Sequence, residues 1–228
     1  MACSHVSSSS NFTPNPRTSV EVVAPAGIQD GDIIVFAGHT LRTSGSPDEF
    51  GLPSGFTQWA SAVFSYDYDT RLAMGWKRAS SESGNYTFTT TNSSYTYIAL
   101  VVIRGCIQTG DPADVAISNT AYTTTNTVLR AAGISPTHDG MLVWAGASRV
   151  GSNSLSVPSG MTERANGGSS SSSKMAMADL VISAGATGNK DGTTVSTNGK
   201  HAMMVALREH GAAGGLSIPL LNHLLLGD

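Results

Sequence analysis

Side chains able to do chemistry are thinly scattered through this sequence, and few stand at a useful spacing. Asp67-Tyr68-Asp69, flanked by Tyr66, puts two carboxylates on one side of an extended segment, as a calcium site would begin. Calcium takes about six to eight oxygen ligands and no further ones can be assigned, so a solvated strand edge that discourages sheet-to-sheet pairing is the simpler reading. His138-Asp139 has the composition of a metal-binding pair, but it corresponds to Gln29-Asp30 earlier in the chain, which makes the Asp a turn residue and the His a substitution. Cys3 and Cys106 are far apart and neither has a neighbour at metal-ligand spacing; they read as a free thiol in a Ser-rich leader and a buried thiol after an apolar strand. Gly-x-Ser-x-Gly, His-Glu-x-x-His, Cys-x-x-Cys and a phosphate-binding glycine loop are all missing from the sequence. The expectation is a protein that is not an enzyme and uses no cofactor or metal.

Tyrosines recur at a spacing of two, Tyr66 with Tyr68 and Tyr95 with Tyr97, which sets each pair on one face of a strand. Exposed, such pairs are platforms for the apolar faces of sugars, with the hydroxyls left in water. Packed across strands, they are ordinary sheet contacts. Both readings stand at this level. Phe36, Trp76 and Trp144 are expected in the core.

The elements that must position these residues come twice. Asp30 to Gly38 is answered by Asp139 to Gly146, Leu52-Pro53-Ser54-Gly55-Phe56-Thr57 by Val157-Pro158-Ser159-Gly160-Met161-Thr162, Arg71 to Met74 by Lys174 to Met177, and Leu100 to Arg104 by Met204 to Arg208. The order is kept and the offset is nearly constant, as loop insertions between two copies of one fold would leave it. Each copy is long enough to own a core. Strands are predicted at 20–23, 33–37, 57–64, 71–77, 86–90 and 97–104 in the first copy, bounded by Gly, Pro, Asn and Asp turns. No segment carries a capped apolar period of 3.6. The predicted fold is all-β: two tandem antiparallel β-sandwich domains, jelly-roll-like, produced by internal duplication and flanked by extended termini. The boundaries are an N-terminal arm at 1–16, a first copy at 17–106, a linker at 107–112, a second copy at 113–209, and a Gly-rich spacer with an apolar anchor at 210–228.

Composition narrows the partners. Of 228 residues only 13% are charged, about half the usual quarter, while 40% are hydrophobic. That is enough apolar material to fold, under an uncharged, hydroxyl-rich surface. A net charge of −3 with no Lys or Arg cluster speaks against nucleic acid. The start of the chain lacks the basic and apolar regions of a secretory signal, which points to synthesis and maturation in a cytoplasm. The last residues are different in kind: after Gly211-Ala212-Ala213-Gly214-Gly215 come Leu216, Ile218, Leu220, Leu221, Leu224, Leu225 and Leu226, interrupted by Pro219, Asn222 and His223. This stretch falls short of the ~20 apolar residues a membrane span needs. It is expected to bury itself, either on its own domain or in a neighbouring subunit or partner, the spacer favouring the second.

Asp30 to Phe36, Pro53 to Thr57, Tyr86 to Thr89 and Leu100 to Gly105 together resemble modules in virion proteins of tailed bacteriophages. The resemblance covers most of the first copy and, more weakly, the second; its motifs are turn and core residues and carry over no catalytic group. It implies a non-enzymatic virion protein, a capsid decoration, cement or tail-fibre subunit, partnered by other virion proteins or by itself as a homo-oligomer. The alternative is a module that recognises a host-surface glycan.

Overall fold

Runs such as Ile33-Ile34-Val35-Phe36-Ala37 are apolar on both faces, and a segment of that kind is stable only as a strand covered on both sides. In the computed structural model, which describes residues 2–42, 45, 48–65, 69–122, 126–149, 155–168, 173–195 and 199–211, every helix or strand among the described residues is a β-strand. The first half holds β1 (Ser4–Phe12), β2 (Arg17–Val23), β3 (Ile33–Arg42), β4 (Phe50–Gly51), β5 (Thr57–Ser65), β6 (Asp69–Arg78) and β7 (Asn85–Arg104). The second holds β8 (Ser118–Tyr122), β9 (Val128–Ala131), β10 (Gly140–Arg149), β11 (Thr162–Gly168), β12 (Ser173–Ile182), β13 (Lys190–Thr193) and β14 (Lys200–Arg208).

All strand pairings are antiparallel, and the main path of the first sheet runs β1-β7-β3-β6-β5 while that of the second runs β8-β14-β10-β12-β11. Position by position these are the same order. A smaller ladder covers the outside of each: β2 and β4 pair with the first part of β7, and β9 pairs with β13.

Side-chain alternation then sorts the apolar residues into layers. Along β3, Ile33, Val35 and Ala37 face one cluster, and Ile34 and Phe36 face another. The second of these clusters, with Val20, Val22, Phe56, Tyr86 and Phe88, fills the space under β2. Its counterpart in the second half gathers Leu129, Leu142, Trp144, Met161 and Met204. The first cluster belongs to both halves: Ile33, Val35, Val101 and Ile103 meet Met141, Val143, Met177, Val205 and Leu207. The molecule is therefore layered as outer ladder, sheet, shared core, sheet and outer ladder. The stretch 107–112 is pinned between the halves: Arg78 donates to the carbonyls of Ile107 and Gly110 at 2.5 and 3.1 Å, and Ile107 N donates to Arg208 O at 3.1 Å.

Two elements differ from expectation. Within the segment 1–16, predicted as an extended arm, Ser4–Phe12 is the edge strand β1. Serine is a poor strand former, but here its hydroxyls tie the strand on both faces. Ser7 and Ser9 donate to Ala26 O and Val23 O at 2.5 and 2.6 Å, and Ser8 donates the other way, to Arg164 O at 2.8 Å. The segments predicted as separate strands at 86–90 and 97–104 are one strand, β7, that runs from the outer ladder into the main sheet. Buried Asp48 carries it through the junction, accepting from Asn92 N and Nδ2 at 2.9 Å each and from Ser94 Oγ.

The repeated corners serve repeated jobs. Phe56 N donates to Pro53 O at 3.1 Å and Met161 N to Pro158 O at 3.2 Å, with Gly55 and Gly160 at φ of 82° and 80°, where a side chain is strained. Asp30 Oδ1 accepts from Ser81 N at 2.6 Å and Asp139 Oδ1 from Ala184 N at 2.8 Å, so each Asp fastens the loop leaving the strand beside it.

Candidate functional site

Of the two tyrosine pairs, Tyr95 with Tyr97 is the one that falls among the described residues. Tyr95 is half-buried and Tyr97 is buried at 3% exposure, on the strand face that also carries Ala99, Val101 and Ile103 into the shared core. The spacing of two placed the pair on one face correctly, and that face is turned inward. Tyr97's ring presses on Gly167 of the other sheet, and burial raises its phenol above the usual range. Tyr66, Asp67 and Tyr68 lie outside the described residues, as do Leu216, Ile218, Leu220, Leu221, Leu224, Leu225 and Leu226.

A groove that sequence reading did not single out runs beside β5. Trp59 lies stacked against Trp76, ring centroids 6.2 Å apart, and lines a cavity of about 490 Å³ together with Asp111, Asp114 and Ile117. An indole beside carboxylates is the chemistry of a sugar subsite, but here the carboxylates are already engaged. Asp111 Oδ1 accepts from Trp59 Nε1 at 2.8 Å and from Ala113 N at 2.9 Å. Asp114 accepts from His138 N at 3.0 Å and lies within hydrogen-bond distance of His138 Nδ1 at 2.6 Å. Burial alone would raise the Asp114 carboxyl; the bonds from His138 and Thr137 outweigh it and hold the carboxyl below its usual range. His138 thus pairs with Asp114, and Asp139 acts as the turn residue expected of it. No group of three metal-ligating side chains occurs among the described residues.

Two histidines are fully buried between the sheets. His39 Nδ1 bonds Ser173 Oγ of the opposite sheet, and His201 Nε2 bonds Thr70 Oγ1 of the opposite sheet at 2.7 Å. The arrangement is reciprocal, a histidine of each half reaching a hydroxyl of the other, with ring centroids 6.0 Å apart. His39 Nε2 and His201 Nδ1 have no partner among the described residues. Burial drives both imidazoles down, His201 to about 3, with the other ring adding to the effect at His39. Both are neutral at ordinary pH and act as polar rivets. Nothing in the sequence spacing announces this pair.

Further ionisable groups are paired within the fold. Arg104 grips Asp32 through Nε and Nη2 at 2.9 and 2.7 Å, and Arg164 grips Asp179 at 2.7 and 2.9 Å. Glu82 accepts from Lys77 at 2.8 Å and from the Tyr86 hydroxyl at 2.7 Å, and Lys77 sits 5.4 Å over the Tyr86 ring. Cys3 and Cys106, read as unrelated thiols, are both buried with their sulfurs 3.3 Å apart. No helix among the described residues is long and apolar enough to cross a membrane. No family model, curated protein or solved structure matches this chain.

Proposed function

We propose that the chain is a non-enzymatic structural protein of a virion. It is carried on the capsid or tail as a decoration, cement or fibre-type subunit, made in the host cytoplasm, and attached through its terminal segments to other virion proteins or to further copies of itself. The observation that carries this reading is the use to which the buried polar groups are put. His39, His201 and Asp48 bond neighbouring strands in the interior, and the groups that border cavities, Asp32 with Arg104 and Asp179 with Arg164, are closed on each other as doubly bonded ion pairs. An enzyme concentrates such groups around a substrate; a scaffold spends them on its own rigidity.

In the same reading the halves are copies of one jelly-roll-like module. The identical strand orders, the matching Asp30 and Asp139 contacts, and the matching Pro53 and Pro158 turns support it. Glycan recognition is the weaker alternative, because Tyr97 is buried and the carboxylates beside Trp59 are occupied.

Solution mass of the full chain, beside a version ending at Glu209, tests attachment through the apolar terminus. The full chain is expected to assemble or aggregate where the shorter one stays monodisperse. Equal subunit number for both would overturn a role for Leu216 to Leu226 in self-assembly, leaving the terminus packed on its own domain or reserved for a different virion protein.

A further inference from the structure

Cys3 and Cys106 are separated by 103 residues in sequence and by 3.3 Å between sulfurs. Cys3 stands at the head of edge strand β1, and Cys106 stands where the chain leaves β7 and bridges to Glu209 at the end of β14. The pair therefore sits where the first strand, the long strand and the crossing to the second sheet come together. Closing the sulfurs into a covalent bond requires an approach of little more than ~1 Å, within the reach of a small rotamer change.

We infer that Cys3 and Cys106 form an oxidisable clasp, converted to a disulfide by a small-molecule disulfide such as oxidised glutathione. The inference does not depend on the virion reading. Access favours Cys3 as the first to react, because it lines a cavity of about 480 Å³ at the seam between the sheets, shared with His5, Thr162, Arg164 and Asp179. Cys106 is not among the cavity's lining residues. The hydrogen bond to Cys3 and burial both push the Cys106 thiol up, so it keeps its proton until the second step. His5, on the same strand, also lines that cavity, and its Nε2 is buried without a hydrogen-bond partner among the described residues.

The chemistry is ordinary exchange. The Cys3 sulfur, as thiolate, attacks one sulfur of the small disulfide; that S–S bond breaks, a mixed disulfide forms on Cys3, and the first small thiol leaves with a proton. The Cys106 sulfur then attacks Cys3 Sγ, loses its proton, and expels the second small thiol. The protein is oxidised by two electrons, and the small disulfide is reduced to two thiols.

The consequence is mechanical. β1 is an edge strand held largely by its ladder to β7 and by serine hydroxyls, and a bond from its head to Cys106 closes a loop over almost the whole first half. The oxidised chain should resist peeling of β1, because a cross-link over so long a loop removes many unfolded conformations.

The experiment uses the full, unmodified chain incubated with oxidised glutathione, with a reduced control. The expected result is loss of two hydrogens in the intact mass, a non-reduced peptide joining residues 3 and 106, and a melting temperature raised by about 5–15 °C that reverts on reduction. Cys106→Ser is expected to stop at a stable glutathione adduct on Cys3. Two free thiols after oxidant treatment, or a persistent adduct on Cys3 of the unmodified chain with no internal bond, would overturn the clasp. Because these readouts come from the unmodified chain, the outcome does not depend on the variant folding.

Discussion

The outer layer of the first half is filled by a cluster of rings, and that of the second by a single ring seated on glycine. Phe36 lies 5.3 Å from Phe88 and 5.8 Å from Phe56, and Phe56 lies 5.2 Å from Tyr86, most of them edge to face. In the second half Trp144 occupies the place of Phe36, and a Cβ at Gly146 or Gly192 would lie 2.1 or 2.8 Å from its ring. The rest of that cluster is Leu, Met and Ala. One backbone order thus accepts two packings. Several rings share the volume in one, with Phe36 over Gly75, while in the other a single large ring lies over both Gly146 and Gly192. The first layer is redundant and the second depends on one residue.

The largest effect should come from Trp144→Ala. Removing a fully buried indole against backbone that cannot follow it leaves a cavity, and about 4–5 kcal/mol of stability should be lost. Phe56→Ala should cost about 2–3 kcal/mol, because Phe56 is 9% exposed and the Lys77 stem can settle into the space. Urea unfolding of both variants reads the difference directly. Equal losses would break the contrast between a shared and a concentrated core.

A finer comparison uses two glycines at the same place in their strands, Gly38 in β3 and Gly146 in β10. A methyl at Gly146 would meet Trp144, which is fully buried and has no free space to turn into. At Gly38 it would meet the tips of Ile98 and half-buried Phe50 at 2.8 Å each, and Phe50 at least can shift outward. Overpacking costs on the order of 1–3 kcal/mol, so Gly146→Ala belongs near the upper end and Gly38→Ala near the lower. Unfolding midpoints in the reverse order would show that the ring cluster is the stiffer layer.

Much of this contrast was written in the sequence, and much of the molecule was not. The recurrence of Pro53-Ser54-Gly55 and Pro158-Ser159-Gly160 marked the same turn twice, because glycine at positive φ leaves a visible residue type. Phe36 and Trp144 could be matched because strand alternation is local. The edge strand β1 was hidden, since its stability comes from hydroxyl bonds to Ala26, Val23 and Arg164 and not from the propensity of serine. Alternation gave Tyr95 and Tyr97 a common face, yet which side of the sheet would be covered depended on the second sheet packing there. The same holds for the pairs His39 with Ser173, Thr70 with His201 and Cys3 with Cys106. Each joins residues more than a hundred positions apart, and no local pattern encodes such a meeting.

The middle layer differs from both outer layers in responding to protons. His39 and His201 bind a proton near pH 6.5 when the chain is unfolded, and burial depresses both in the folded state, His201 to about 3. Below pH 6.5 the unfolded chain therefore holds protons the folded chain refuses, so stability is full above that pH and falls as pH drops toward the folded values. Thr70, Ser173, Phe64 and the other imidazole are the partners seen around the rings, and none supplies a negative charge to offset protonation. At one pKa unit per ~1.4 kcal/mol, His201 should cost about 2 kcal/mol by pH 5, and His39 acts in the same direction. His201→Gln keeps an amide that can bond Thr70 and removes one titrating group, so its slope between pH 6.5 and pH 5 should be shallower than that of the unmodified chain. Gly146→Ala, by contrast, should lower the whole curve without changing its slope. If His201→Gln left the slope unchanged, the acid sensitivity would have to reside in other groups, His39, His5 and the depressed carboxylates among them, and His201 would be a rivet without a proton response.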